Sequence, residues 1–235
     1  MSAPAISLAF FDHEHELHGM ARAGTTLLFE GATPSALGEE TQIEPDGEGW
    51  RARAEGHFEL SFTPSSEPVE LGPVRLRVCA VSGSVGEVEV SCLGTAGATV
   101  EAPSWEELDA LRALSALFDP GSAVLALASR PRGAHGHGEE LVTAGLVREG
   151  ETVAVEEARL STVYDGDGRQ RTAGLELWLP GEDFPRRLSG SVAAGSSLEL
   201  ESLIVNAAVF RWRMDGREGL GEYNLTARNE PPAAA

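Results

Sequence analysis

Apolar and polar residues alternate along most of the chain with a period of two rather than 3.6, the pattern of strands that bury one face in antiparallel sheets. Residues 57–62 are a clean case. Residues 174–179 place Leu175, Leu177 and Leu179 on one face, and residues 197–204 read as a further strand with Leu198, Leu200 and Ile204 together. Between such runs stand 45–49 (Pro-Asp-Gly-Glu-Gly), 165–168 (Asp-Gly-Asp-Gly) and Asp215-Gly216, all with hairpin-turn chemistry. Regular punctuation of this kind predicts a sandwich or barrel. Val74–Val78 and Gly86–Val90 become complementary when paired about Ser82, with Arg75 opposite Glu89, Arg77 opposite Glu87 and Leu76 opposite Val88. That register predicts structural arginines, and it puts Cys79 and Cys92 on opposite faces, where no disulfide forms.

One segment departs from the alternation. Ser104 and Glu107 have capping-box spacing, Trp105, Leu108, Leu111, Leu114, Leu117 and Phe118 recur at helical intervals, and Asp119-Pro120-Gly121 stops the run. This predicts a helix over 104–119, bridging an N-terminal β half (1–103) and a C-terminal β half (120–230), with 231–235 as a disordered tail. A faint internal echo accompanies this division: Trp50–Gly56 resembles Phe210–Gly216, and Phe11–Gly31 resembles Tyr164–Gly181. Duplication and convergence on shared strand-turn chemistry are equal readings of it.

With 235 residues, 42% hydrophobic and 23% charged, the chain is long enough to bury a large core. Its 18 basic and 37 acidic residues give a net charge of −19, which disfavours nucleic acid and anionic membranes as partners. All the basic residues are arginine, so lysine-based nucleophilic or Schiff-base chemistry is excluded. The apolar run 5–11 lacks a positive flank and meets Asp12, Glu14 and Glu16, so it is not a signal peptide. No window approaches the length of a membrane-spanning helix. Two cysteines make no disulfide framework, and a cytoplasmic location is expected. An exposed sheet edge would make the protein a homodimer.

Five of the six histidines fall in two clusters, 12–18 with His13, His15 and His18, and 134–140 with His135 and His137. On a strand, His13 with His15, or His135 with His137 and Glu139, would point the same way and offer weak metal ligands for zinc or non-haem iron. Glu140 follows His137 too closely for a cupin pattern, and Gly136 and Gly138 make the second cluster pliable. The alternative places His13 and His15 on a polar strand face and His135 and His137 in a connection. No cofactor is called for. The stretch 210–224 sets Phe210, Trp212 and Met214 on one strand face, followed by Gly216, Gly219 and Gly221 and a return strand beginning at Glu222-Tyr223. Its plain reading is barrel closure around an aromatic core.

Phe11-Asp12 leading to residues 17–22 (Leu-His-Gly-Met-Ala-Arg), the 135–139 cluster, and the Gly216-x-x-Gly219-x-Gly221-Glu222-Tyr223 ending together resemble the lipocalin-like hydroxyneurosporene synthase (carotenoid hydratase)/AttH-like family. This chain is short for that family. The resemblance implies two successive lipocalin-like halves that bind apolar molecules such as isoprenoids or polyketides, and in several members hydratase, isomerase or cyclase activity. Chemistry of that kind starts when a carboxylic acid held neutral in an apolar barrel mouth protonates an alkene. Asp12, Glu139 and Glu222 are the candidate acids, with His135 or His137 as proton shuttle. Phe210, Trp212, Met214 and Tyr223 would line the ligand, Trp212 and Tyr223 facing a developing cation. Neither a G-x-S-x-G elbow, a P-loop nor a dinucleotide fingerprint is present. Set against this reading stand a non-catalytic structural or interaction domain and a His-ligated metal protein.

Overall fold

The structure, a computed structural model, describes residues 4–22, 24–38, 41–134, 137–200 and 202–229. It is all-β, as the alternation predicts, and consists of two curled antiparallel sheets. The first contains β1 (Ala5–Asp12), β2 (Leu17–Arg22), β3 (Thr25–Glu30), β4 (Thr33–Leu37), β5 (Gln42–Asp46), β6 (Gly49–Ala54), β7 (Phe58–Pro64), β8 (Val69–Leu71), β9 (Val74–Val85) and β10 (Val88–Thr99). The second contains β11 (Leu108–Asp119), β12 (Ser122–Pro131), β13 (Leu141–Arg148), β14 (Glu151–Ala154), β15 (Glu157–Tyr164), β16 (Gln170–Trp178), β17 (Arg186–Leu200), β18 (Leu203–Met214) and β19 (Arg217–Arg228). The predicted turns at 47–48, 165–168 and 215–216 all connect neighbouring strands.

Strand order in the first sheet is β4-β3-β2-β1-β10-β9-β7-β6-β5, with short β8 appended to β9. In the second it is β14-β13-β12-β11-β19-β18-β17-β16-β15. These are one topology used twice, the first strand of each half pairing with the last. The residue echo does not follow this repeat: it matches β6 to β18 and β1 to β15, whereas topology equates β6 with β16 and β1 with β11. It therefore reflects common strand-turn chemistry, and the duplication lies in the topology alone.

Period-two alternation divides the side chains among three apolar layers. Leu8, Phe10, Ala52, Phe58, Leu60, Phe62 and Val81 fill the inside of the first sheet. Leu114, Leu160, Leu175, Leu177, Phe210, Trp212 and Tyr223 fill the inside of the second. The outer faces pack against each other through Ala9, Phe11, Met20, Leu27 and Phe29 on one side and Leu117, Leu125, Val147, Ala194 and Val209 on the other. Backbone hydrogen bonds stitch the halves as well: Glu67 donates to the Gly150 carbonyl at 3.0 Å.

This layering explains why the predicted bridging helix is a strand. Along β11, Ala110, Arg112, Leu114 and Ala116 face the second sheet's interior, while Leu111, Ala113 and Leu117 face the layer between sheets. A strand buried on both faces has no polar period to display, and its leucines fell at helical spacing by chance. Only the turn at 104–107 survives of the capping box, with Glu107 N–H donating to the Ser104 carbonyl.

Two other readings are corrected. β9 and β10 turn at Gly86-Glu87 instead of about Ser82, so Arg75 lies opposite Ala98, Arg77 opposite Ala96 and Leu76 opposite Gly97. Exposed cross-strand charge pairs contribute about 0.2–1 kcal/mol each, less than the ladder of twelve paired residues with its buried Leu76, Val78 and Val81. In this register Cys79 and Cys92 share a face, both in the first sheet's interior layer, and both are free thiols. Residues 197–204 are not one strand but a hairpin, β17 ending at Leu200 and β18 beginning at Leu203.

Candidate functional site

The interior of the first sheet is closely packed. The space left within the first, beside Phe10, Phe58 and Phe62, is about 10 Å³. The expected barrel mouth is thus not where room exists. A cleft of about 720 Å³ opens instead between the two sheets. One wall is Phe11 and Asp12 at the end of β1, His13 and Glu14 of the following turn, and Ser91, Cys92 and Leu93 of β10. The other is the outer face of β17, β18 and β19, and Leu117 and Phe118 of β11 contribute further apolar lining. Register arranges that outer face in two rows, Ser191–Arg211–Leu220 and Ser189–Arg213–Glu218. Arg213 is paired with Glu218 at 2.6 Å, and Arg211 reaches Glu16 of the first half at 3.5 Å.

Asp12 is buried at the cleft's edge and organises the β1–β2 turn. Its carboxylate accepts from the Glu14 N–H at 2.9 Å, the His15 N–H at 3.3 Å and His15 Nδ1 at 2.8 Å. The last bond holds the His15 imidazole above its usual range, so it carries its proton more readily than a free histidine. His13 and His15 sit in this turn, residues 13–16, not on a strand, so the same-face argument for a metal pair does not apply. Among the described residues no group of three or more His, Cys, Asp or Glu is placed to hold an ion. His135 lies outside the described residues. Of His137 only the backbone is described, opening the short 3-10 turn His137–Glu139, in which Glu139 is exposed.

Glu222 is buried on the face between the sheets, where it approaches Arg22 of β2 at 3.7 Å and accepts from Asn224 Nδ2. Burial pushes its carboxyl up. It is thus an acid inclined to stay neutral, but it does not border the cleft. Phe210, Trp212, Met214 and Tyr223 belong to the second sheet's interior layer. Phe210 packs 5.0 Å from Trp212 and edge-on to Tyr223 at 5.2 Å, centroid to centroid. Trp212 borders the cleft with none of its surface exposed, its ring lying over Gly190. Of the candidates from the sequence, the structure brings Asp12, His13 and Trp212 to the cleft and leaves Phe210, Met214, Tyr223, Glu222 and Glu139 elsewhere. The Cys92 thiol points into the first sheet's interior layer, and burial pushes it up to about 12, so it is no nucleophile at neutral pH.

Two polar features escaped the sequence reading. Arg112, 1% exposed, projects into the second sheet's interior, where Nη1 donates to Thr162 Oγ1 at 2.9 Å and Tyr223 Oη at 3.2 Å. It is ion-paired with the buried Glu140, which also accepts from Arg130 at 2.9 and 3.0 Å. An arginine interrupting an apolar run is the signal in the sequence, and helical spacing of the flanking leucines masks it. The other is His18, buried on β2 beside Phe11, whose Nδ1 has no hydrogen-bond partner among the described residues.

The fold and cleft define a two-sheet, lipocalin-like class of all-β protein. Kievitone hydratase from Nectria haematococca is similar in structure, with a TM-score of 0.53 at 9% identity over 96% of this chain and 88% of that one. At that identity the likeness is one of fold. A protein of unknown function from Nostoc punctiforme aligns over 97% of this chain and 96% of its own, at 10% identity and a TM-score of only 0.21. No protein-family model and no curated protein matches the chain. Among the described residues, no helix is long and apolar enough to cross a membrane.

Proposed function

We propose that the protein binds an apolar, isoprenoid- or polyketide-like molecule in the cleft between its sheets and performs cofactor-independent acid–base chemistry on it. Hydration, double-bond isomerisation and cyclisation are the reactions in view, as in the carotenoid hydratase/AttH-like family the sequence resembles. The observation that carries this reading is the cleft itself: about 720 Å³ beside a first-sheet interior that is filled, with Phe11, Leu93, Leu117, Phe118 and Leu220 supplying apolar surface. A fold shared with a hydratase supports it. Asp12 on the cleft wall and the His15 imidazole it holds in the adjoining turn form the acid–base pair, the imidazolium giving a proton to substrate carbon and the carboxylate orienting the ring. Arg211 and the Ser189 and Ser191 hydroxyls are placed to hold polar atoms of the ligand. Glu222 is assigned to the joint between the halves.

All three reactions begin with a proton placed on carbon, so a panel of isoprenoid and polyketide-like alkenes incubated with the protein in D2O tests them together. Carbon-bound deuterium, read by mass spectrometry and lost in Asp12→Asn, is the expected result. Binding is followed separately with Nile red, whose fluorescence should rise saturably and fall away in Ser191→Trp, which fills the cleft from an exposed wall position. Undiminished Nile red binding in that variant would sink the cleft as the site. Binding without deuterium uptake favours a second reading, a carrier without chemistry, which one observation supports: the carboxyl held up by burial, Glu222, lies outside the cleft.

A further inference from the structure

On the face of the first sheet turned toward the second, register sets one row of residues side by side: Leu93, Phe11, His18, Phe29 and Pro34. Leu93 and Phe11 line the cleft, and His18 is the next residue in the row. Its imidazole is 6.2 Å from the Phe11 ring and only 6% of the residue is exposed. The same register flanks it with the apolar Ala9, Met20 and Leu27, while Asp12, His13, Glu16 and Arg211 lie within electrostatic range. In this setting Nδ1 has no partner among the described residues. A buried, unpaired ring nitrogen is a standing loss that native structures seldom carry without a use.

We infer that His18 is the ligand-reading group of the cleft, and that the ligand is an apolar molecule carrying a hydroxyl group that meets Nδ1 past the Phe11 ring. This inference rests on the cleft being the binding site, as proposed above. A hydroxyl suits the nitrogen in either tautomer, donating to a bare Nδ1 or accepting from Nδ1–H. Burial holds the imidazole down at about 4, so at neutral pH it is uncharged and can make that bond inside an apolar wall without bringing in a charge. The ligand oxygen would satisfy the nitrogen while the rest of the molecule replaces water against Phe11, Leu93 and Leu117. A hydrocarbon of the same shape would gain the second contribution and forgo the first. His18 thereby sets specificity for an oxygenated over an unoxygenated ligand, with no part in proton transfer.

The test compares 2-naphthol with naphthalene by isothermal titration calorimetry on the intact chain, in wild type and in His18→Leu. The expected result is 2-naphthol binding at least about tenfold more tightly than naphthalene to the wild type, the worth of one buried hydrogen bond. In H18L the preference should vanish while naphthalene affinity is retained. Equal binding of both probes to the wild type, or a preference that survives in H18L, overturns the role of His18 and leaves the cleft standing. Failure of both probes to bind overturns the cleft as an apolar site and this inference with it. Should H18L fold poorly, 15N-histidine NMR of the wild type provides the readout: 2-naphthol must shift the His18 Nδ1 resonance, and an unmoved resonance at saturation refutes the contact.

Discussion

Replacing His18 with leucine should flatten the protein's acid sensitivity. In the native state burial outweighs the other influences on this imidazole: Asp12 and Glu16 favour its charged form, Arg211 and His13 disfavour it, and the balance lies at about 4 against 6.5 for a free histidine. A base whose native pKa is depressed binds its proton more weakly when folded than when unfolded. Stability is therefore whole above pH 6.5, declines as pH falls toward 4, and levels off below. A gap of 2.5 units at 1.36 kcal/mol each sets the full loss at about 3 kcal/mol, an upper figure because partial opening would let water reach the ring. Leucine does not titrate. It also removes an unpartnered buried nitrogen, so at pH 7.5 the variant should be as stable as wild type or slightly more so. Urea unfolding of both proteins at half-unit steps from pH 7.5 to 4.0 measures the difference between two curves, in which contributions common to both, such as Glu222 and the His15–Asp12 pair, largely cancel. The stability of H18L relative to wild type should rise by about 2–3 kcal/mol across that range. Parallel curves would show that the imidazole is protonated as easily inside the protein as outside, and the account of His18 as a buried neutral group would fail.

Two further substitutions probe the packing. In Gly190→Ala the new Cβ would sit 2.3 Å from a Trp212 ring atom, so the indole must shift within a closed aromatic layer. The expected loss is about 1–3 kcal/mol in urea unfolding, and an unchanged midpoint would mean the ring has room to move. Glu140→Gln removes the carboxylate ion-paired with the buried Arg112 and should cost about 3–5 kcal/mol, whereas the double change Arg112→Met with Glu140→Leu should cost far less. Equal losses in the single and double variants would show that the pair contributes through shape, not charge.

What could be read in the sequence follows from where each strand sits. β7 and β16 bury one face and show the other to solvent, so residues 57–62 and 174–179 display the period of a strand. β11 and β12 lie where both faces are covered, by the interior layer on one side and the partner sheet on the other, and such strands carry no alternation to find. Turn positions were legible because Asp-Gly and Gly-rich pairs are forced by local backbone geometry. The 74–99 register was not, since its turn uses Gly86 at positive φ with an unremarkable glutamate, and charge pairing pointed elsewhere. The candidate site was the least legible part. Its conspicuous aromatics, Phe210, Trp212 and Tyr223, are core, as their plain reading held. The cleft is assembled from β1, β10, β11, β17, β18 and β19, which contribute runs of two or three residues spread from Phe11 to Leu220. His18 lay in view within the first cluster, but only its neighbours across the sheet, Phe11 and Phe29, reveal that its ring is buried.

The pairing of the first strand with the last in each half also dictates the order in which the protein can assemble. On a ribosome β11 emerges with β12, but the partner on its other edge, β19, is the final twelve-residue strand to appear. Until then neither β11 nor β18 has both neighbours, and the second sheet cannot curl shut. The first half, complete by Thr99, must meanwhile wait with Ala9, Phe11, Met20, Leu27 and Phe29 turned to water. Long-range closure of this kind is slow because distant segments must meet before any contact rewards them, and the waiting surface is one on which nascent chains aggregate. A nascent chain of this protein is therefore most vulnerable after its first half is finished, and a lesion that removes β19 would leave β11 and β18 each with an open edge.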